Sequence, residues 1–155
     1  SRGSVIPYFI EKIKNKEIIP ITDESMTRFL ISLEDAIKLV WDTFLLMKGG
    51  EIFIKKIPSI KLTDIAKAID IKNKYKVIGI RPGEKIHEQM ITSEDSEYTY
   101  EFKDHYRIIP MVKESKYKIN KNKLVKKGFE YISNTNQDWI NDKDLRLWLK
   151  QKKYI

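Results

Sequence analysis

The sequence contains no cysteine and only two histidines, His87 and His105, among its 155 residues. The first absence excludes disulfide stapling, thiolate zinc sites and cysteine nucleophiles, and is compatible with a reducing cytosol. Two histidines also make a histidine-built metal centre or a serine triad improbable. No apolar run approaches the ~18 residues of a membrane-spanning helix. Stretches such as Ile18-Ile19-Pro20-Ile21 and Leu39-Val40-Trp41 break within a few residues. Neither a Gly-x-Gly-x-x-Gly string nor a Walker loop occurs, so no dinucleotide or triphosphate cradle is visible. The chain opens Ser1-Arg2-Gly3-Ser4-Val5 with neither initiator methionine nor signal peptide. The expectation is a piece of something longer.

What is present argues for a folded chain: 41% hydrophobic and 11% aromatic residues supply a real core for one ordinary domain. The net charge of +8 is uneven. Up to Val112 there are 18 basic and 17 acidic residues; from Lys113 onward there are 12 and 5. A neutral body thus precedes a basic tail. Of 30 basic residues only Arg2, Arg28, Arg81, Arg107 and Arg146 are arginine, the residue that forks onto phosphates. No recognition-helix or aromatic RNA-binding pattern accompanies the tail, so it reads as a solvated lysine-rich surface and no nucleic-acid or membrane partner is expected.

Helix and strand alternate along the chain, which predicts an α/β fold. Val5 to Lys16 carries Ile6, Phe9, Ile10 and Ile13 at helical spacing, and Pro20 ends that unit. Asp23 to Ile31 reads as extended. Ser32 caps a helix from Leu33 to about Lys48, whose apolar positions Leu33, Ala36, Ile37, Val40, Trp41, Phe44 and Leu45 keep the helical period until Gly49-Gly50 stops it. Strands are predicted at Glu51–Ile54, Tyr75–Ile80, Tyr98–Phe102, Tyr106–Ile109 and, more weakly, near Tyr117. Further helices are predicted at Leu62–Ile69, from Glu84 towards Met90, and from about Asp142 to Lys152.

Several apparent motifs carry little. Tyr-x-x-x-Lys occurs at Tyr8/Lys12 and Tyr117/Lys121, as chance allows in a chain rich in both residues. Asp64, Asp70, Glu84 and Glu88 offer a carboxylate pair only as Glu84 and Glu88, for which a solvated helix face is the default. The informative stretch is Gly79-Ile80-Arg81-Pro82-Gly83-Glu84-Lys85-Ile86-His87-Glu88. A strand ends there, an arginine sits at its mouth, and a Pro-Gly turn holds a carboxylate three residues on. In α/β sheets the carboxyl ends of strands face the ligand crevice. Arginine can fork onto phosphate, and a carboxylate can accept from ribose hydroxyls; a surface salt bridge beside a turn is the bland alternative.

The strings Ser1-Arg2-Gly3-Ser4-Val5-Ile6-Pro7, Met26-Thr27-Arg28-Phe29, Gly50-Glu51-Ile52-Phe53-Ile54, Lys56-Ile57-Pro58-Ser59 and Gly79-Ile80-Arg81-Pro82-Gly83-Glu84-Lys85 together resemble, in order and spacing, the C-terminal half of nucleotide-sugar dehydratases of the extended short-chain dehydrogenase class. The inverting UDP-N-acetylglucosamine 4,6-dehydratases of pseudaminic acid synthesis and related capsular enzymes are the most similar group. The likeness runs from Ser1 to about Pro110 and resumes at Gly128-Phe129-Glu130-Tyr131 and Ser133-Asn134-Thr135-Asn136.

The resemblance implies a Rossmann-like fold of which this chain supplies the last sheet strands and a substrate subdomain. It implies a UDP-sugar-binding half over 1–112 and a basic extension with a final helix over 113–155. Arg81 and Glu84 would hold the ribose and diphosphate end of the UDP-sugar, and Arg28 would reach the diphosphate. Arg2, Gly3, Ser4 and Val5 would lie along the substrate, where Gly3 allows close approach. Thr27 is a weaker neighbour. The family's NADP site and catalytic Tyr-x-x-x-Lys belong to an N-terminal Rossmann half that this sequence does not contain, so no catalytic, cofactor-binding or metal residue is expected here. NADP is expected in the complete enzyme and not on this chain, which alone is expected to be inactive. The complete enzyme is expected to be a cytoplasmic lyase and a homo-oligomer. Exposed apolar surface and a tendency to associate follow, with the strands at Ile52 and Val77 at the edge of a sheet centred in the missing half.

Two rivals stand beside that expectation. A UDP-sugar 4-epimerase of capsule synthesis shares the fold and the UDP site, although Ile80-Arg81-Pro82-Gly83 rather than Thr-Arg-His-Gly favours the dehydratase. A non-enzymatic nucleotide- or nucleic-acid-binding module using the basic tail is the rival of another class.

Overall fold

The computed structural model describes residues 4–72, 75–110, 117 and 119–155. The chain forms two interleaved units, one from 1–29, 58–88 and 136–155, the other from 30–57 and 89–135. Residues of the basic segment after Val112 contribute to both units.

In the first unit, helix α1 (Val5–Lys14) buries Ile6 and Phe9, two of the apolar positions its period marks. Lys12 and Lys14 in its last turn suit the negative end of the helix dipole. Strand β1 (Ile19–Ile21) and strand β2 (Thr27–Phe29) follow. Pro20 therefore sits inside a short strand instead of marking a break, as a residue without an N–H can where one side of the strand is unpaired. In the second unit, helix α2 (Leu33–Leu46) is capped by Ser32, whose Oγ accepts from the Asp35 N–H at 3.0 Å. None of the residues of α2 is buried. The periodicity identified this helix and its apolar stripe correctly, but the stripe faces outward: Leu33 is 74% and Leu45 79% exposed.

Strand β3 (Ile52–Lys55) leaves the α2 turn, in which Gly49 and Gly50 adopt φ of 108° and 99° and the Glu51 carboxylate accepts from the N–H groups of Lys48 and Gly49, each at 2.7 Å. In the first unit, β4 (Ser59–Lys61) pairs antiparallel with β2 and runs into α3 (Leu62–Ile69), six of whose eight residues are buried. Strand β5 (Tyr75–Val77) pairs parallel with β1 in the register Ile19↔Tyr75 and Ile21↔Val77. Strand β6 (Gln89–Ile91) belongs to the second unit, as do β7 (Thr99–Glu101) and β8 (His105–Ile108). The three-stranded antiparallel sheet there has the order β3-β8-β7. Strand β9 (Tyr131–Ile132) pairs antiparallel with β6. Helix α4 (Asp142–Gln151), capped by Asn141, closes the first unit.

Three expectations are corrected here. The strands at Ile52 and Val77 lie in different sheets and different units, and each pairs with a strand of this chain. No helix forms from Glu84 to Met90; that stretch is a loop with a bend at Ile86 and His87 up to the start of β6, and the Ile86 carbonyl and the Glu88 carboxylate bond to β2. Strand β5 ends at Val77, short of Ile80. The strand expected near Tyr117 falls mostly outside the described residues. Among the described residues no helix is long and apolar enough to cross a membrane.

The C-terminal segment is stitched to the first unit by main-chain bonds. The Ser59 N–H donates to Asp138 O at 2.9 Å and the Ile140 N–H to Ser59 O at 3.0 Å. Asn136 Nδ2 donates to Ser59 Oγ at 3.0 Å. Arg146 donates to the Ala68 and Ile69 carbonyls at the C-terminal end of α3, at 2.7 and 3.3 Å, where a cation meets unpaired helix carbonyls.

In the second unit Tyr131 Oη accepts from the Ile57 N–H at 2.9 Å and donates to the Ile57 carbonyl at 3.0 Å, closing a buried loop. Its ring lies 5.2 Å from that of Tyr106, which also faces Phe129 at 5.2 Å and Lys56 Nζ at 4.9 Å. Burial pushes the Tyr106 phenol up to about 12. An unfolded tyrosine ionises near 10. The folded chain therefore holds this proton more tightly, and the stability it contributes is complete below about pH 10 and is lost as pH rises towards about 12. We expect Tyr106→Phe to flatten the fall in thermal midpoint between pH 10 and 12. An identical alkaline profile in the two proteins would refute the assignment.

Candidate functional site

Residues 81–88 are a loop that the sequence must bend sharply and then hold flat. Pro82 presets φ for the second position of a β-turn, and Gly83 takes φ 80° at the third, as a type II turn requires. The Glu84 N–H closes the turn on the Arg81 carbonyl at 3.0 Å. No atom lies within 4 Å of a Cβ built on Gly83, so backbone conformation and not crowding demands glycine there.

The Glu84 carboxylate is fixed from two sides. Thr22 Oγ1 donates to Oε1 at 3.1 Å, and the Arg81 N–H donates to Oε2 at 3.3 Å. An ionised carboxylate offers about four acceptor positions, so capacity for ligand hydroxyls remains. The Arg81 side chain stands exposed, and its guanidinium engages no group among the described residues.

The following residues lace this loop to β2. The Thr27 N–H donates to the Ile86 carbonyl at 3.0 Å, and Thr27 Oγ1 lies 2.8 Å from His87 Nδ1. Arg28 Nη1 donates to the Thr27 and Ile86 carbonyls at 2.7 and 3.0 Å. Its Nη2 reaches Met26 Sδ at 3.0 Å, and its Nε lies 3.7 Å from Glu88 Oε1. Glu88 also accepts from the Phe29 N–H at 2.9 Å. Nearby, hydrogen bonds from the Ser25 hydroxyl and N–H hold the Asp23 carboxyl below its ordinary range.

Of the residues expected at a site, Thr27, Arg28, Arg81 and Glu84 are thus gathered on one loop-and-strand cluster of the first unit. Ser4 and Val5 stand at the start of α1, half-buried; Ser4 is the N-cap, in extended conformation, without a side-chain cap bond. Arg2 and Gly3 lie outside the described residues. Thr22, Ile86, His87 and Glu88 went unnoticed as partners of this cluster. Their contacts span about sixty residues of sequence, a separation at which spacing carries no signal.

The rarity of arginine is a weaker guide than it looks. Arg146 binds helix-end carbonyls, as above. Arg107 is buried with its guanidinium 4.4 Å from the Phe53 ring and 4.7 Å from the Phe102 ring, and burial pulls its pKa down. Arg28 is engaged by backbone acceptors. Among the described arginines, Arg81 alone presents a guanidinium with all its donors available to a ligand. The Tyr8/Lys12 pair is likewise structural: Lys12 Nζ pairs with Glu17 at 2.6 Å and sits 5.5 Å above the Tyr8 ring.

Comparison with known proteins places these residues in context. A family described as "Polysaccharide biosynthesis protein" matches residues 1–110. A UDP-N-acetylglucosamine 4,6-dehydratase (inverting) of Campylobacter jejuni is 50% identical over 154 residues, which cover 94% of this chain and 46% of that protein. A UDP-glucose 4-epimerase of Rickettsia conorii is 44% identical over 112 residues, covering 70% of this chain and 33% of that one. The X-ray structure of Pen from Bacillus thuringiensis superposes on all of this chain and on 46% of its own, with a TM-score of 0.82 at 34% identity. The chain spans less than half the length of these relatives.

Proposed function

Because this chain belongs to the polysaccharide biosynthesis protein family, we propose that it is the UDP-sugar-binding portion of a nucleotide-sugar 4,6-dehydratase, an NADP-dependent lyase that uses UDP-N-acetylglucosamine. One observation carries the reading: the Pro82-Gly83 turn fixes Glu84 against Thr22 while leaving the Arg81 guanidinium open to solvent. In this reading Arg81 forks onto the diphosphate and Glu84 accepts from the ribose hydroxyls. Arg28 adds positive charge and holds the 86–88 segment against β2, which keeps the turn in place. Thr27 supports the same segment through His87. Arg2, Gly3, Ser4 and Val5 are read as lying along the substrate. Residues 1–112 form the substrate-binding half and 113–155 an extension.

NADP, where bound, would accept and return the hydride of the dehydration. Among the described residues the glycines with positive φ, Gly49, Gly50, Gly79, Gly83 and Gly128, stand in scattered turns and form no Gly-rich loop at a helix start. This reading assigns the cofactor to the part of the longer relatives beyond the matched span, and no chemical step to this chain. The complete enzyme is read as cytoplasmic and homo-oligomeric.

The likeness to the Rickettsia epimerase favours a second reading, a UDP-sugar 4-epimerase. Both share the UDP site and differ in the sugar. Calorimetric titration of the chain with UDP, UDP-N-acetylglucosamine, UDP-glucose and NADP tests both. The proposal expects UDP binding, a gain from the N-acetylglucosamine moiety, and no NADP binding. A gain from glucose instead would favour the epimerase. NADP binding would overturn the assignment of the cofactor to another part of the protein.

A further inference from the structure

We propose that Thr22 is a positioning residue whose hydroxyl aims the Glu84 carboxylate, so that the site takes a ribonucleotide in preference to a deoxyribonucleotide. This rests on the UDP reading above and assigns the choice of nucleoside sugar to one side chain. Strands β1 and β5 run parallel, so both leave their sheet at the same edge. The Ile78 N–H, which donates to Ile21 O at 2.8 Å, carries that pairing one residue beyond β5. Thr22 directly follows β1 and is 8% exposed. The chain beyond β5 comes back to it at Glu84, 62 residues on, where Thr22 Oγ1 donates to Oε1. Ligands of α/β sheets sit at the carboxyl ends of parallel strands, and Thr22 stands at such an end.

The Thr22 bond decides what Glu84 has left to offer. Two carboxylate oxygens present about four acceptor positions. Thr22 takes one on Oε1 at 3.1 Å, and the Arg81 N–H takes one on Oε2 at 3.3 Å. A position therefore remains on each oxygen, which suits two neighbouring hydroxyls donating side by side. The Arg81 bond ties the carboxylate only to its own turn, since the Glu84 N–H closes that turn on the Arg81 carbonyl. Among the described residues, Thr22 alone anchors the carboxylate to the end of β1. Without that anchor the side chain regains torsional freedom, which a bound diol must then freeze out. A nucleotide lacking one ribose hydroxyl fills only one of the two positions and gains less from the alignment.

The test is calorimetric titration with UDP and 2′-deoxy-UDP of this chain, of Thr22→Val and of Thr22→Ser. Valine keeps the shape of the side chain and loses the donor; serine keeps the donor. Thermal midpoints establish that each variant is folded at the temperature of titration, and Thr22→Ala replaces Thr22→Val if the latter is not. The wild-type chain should favour UDP about tenfold, the weight of one hydrogen bond to a charged acceptor. Thr22→Val should weaken UDP roughly five- to tenfold and 2′-deoxy-UDP less than about twofold, which erases the preference. Thr22→Ser should restore it. In a Glu84→Ala background, Thr22→Val should change UDP affinity no further, because the two side chains act as one unit. Equal weakening of both nucleotides in Thr22→Val would make the hydroxyl a support of the turn and nothing more, and overturns the proposal. So does a preference for UDP that survives the substitution. A wild-type chain that binds both nucleotides equally overturns it too, while leaving the Arg81 contact with the diphosphate standing. Binding of neither nucleotide overturns the substrate reading itself, so the two failures are told apart.

Discussion

Replacing Arg81 by alanine should weaken UDP binding by roughly 10- to 100-fold, the range expected when a charged hydrogen-bonding group is withdrawn from a diphosphate. The fold should be untouched, because the side chain is exposed and its guanidinium engages no described residue. The turn survives as well: the bonds that close it use the Arg81 N–H and carbonyl, which alanine keeps. Arg81→Lys should recover part of the loss, as a point charge replaces a planar fork. Arg28→Ala is the informative contrast. It removes bonds to the Thr27 and Ile86 carbonyls and a contact with Glu88, so stability and affinity should fall together. Calorimetry with a thermal melt on each variant separates the two patterns. Unchanged UDP affinity in Arg81→Ala would remove the residue on which the functional reading chiefly depends. Uniform weakening towards all polyanions on replacing exposed lysines of the basic segment, Lys121, Lys126 and Lys143, by glutamine would favour the nucleic-acid-binding module instead.

The largest effect on stability is expected at Leu149→Ala. Leu145 and Leu149 are fully buried, and they are the only buried residues of α4. Truncating one of them removes its transfer free energy and leaves a cavity, which together cost about 2–5 kcal/mol. For a chain of this size that corresponds to a fall of roughly 10 °C in thermal midpoint. Leu147, on the solvent side of the same helix and 60% exposed, should tolerate alanine with little change. Equal effects at the two positions would mean that α4 is not seated as described. A large loss at Leu149 alone would show that the C-terminal helix is integral to the first unit and not an appendage.

Local features were legible in the sequence to different depths. Helices α1, α2, α3 and α4 announced themselves because their period, caps and stops are short-range properties: Ser32 before α2 and Gly49-Gly50 after it. The Pro82-Gly83 turn was legible for the same reason. Strands β1, β4, β6 and β9 are not legible in the sequence because they are two or three residues long and exist only through their partners. The segment after Glu84 was misread as a helix start. Its carboxylates at i and i+4 suit a helix surface, but Glu84 binds Thr22 and Glu88 binds β2, partners about sixty residues away in sequence.

The sequence by itself determined the α/β class, four helices, the turn at 81–84 and the ordered motifs by which the family is known. Each depends on residues near one another along the chain. Tertiary structure alone decided that Arg28 is engaged by backbone carbonyls while Arg81 is open, and that Thr22 and His87 belong to the cluster. It alone decided that the richest apolar stripe faces outward. Those facts depend on which segments meet across about sixty residues and on which face of a helix finds a neighbour. Helical period fixes a face but never its partner, because burial is a property of the assembled core and not of the local chain.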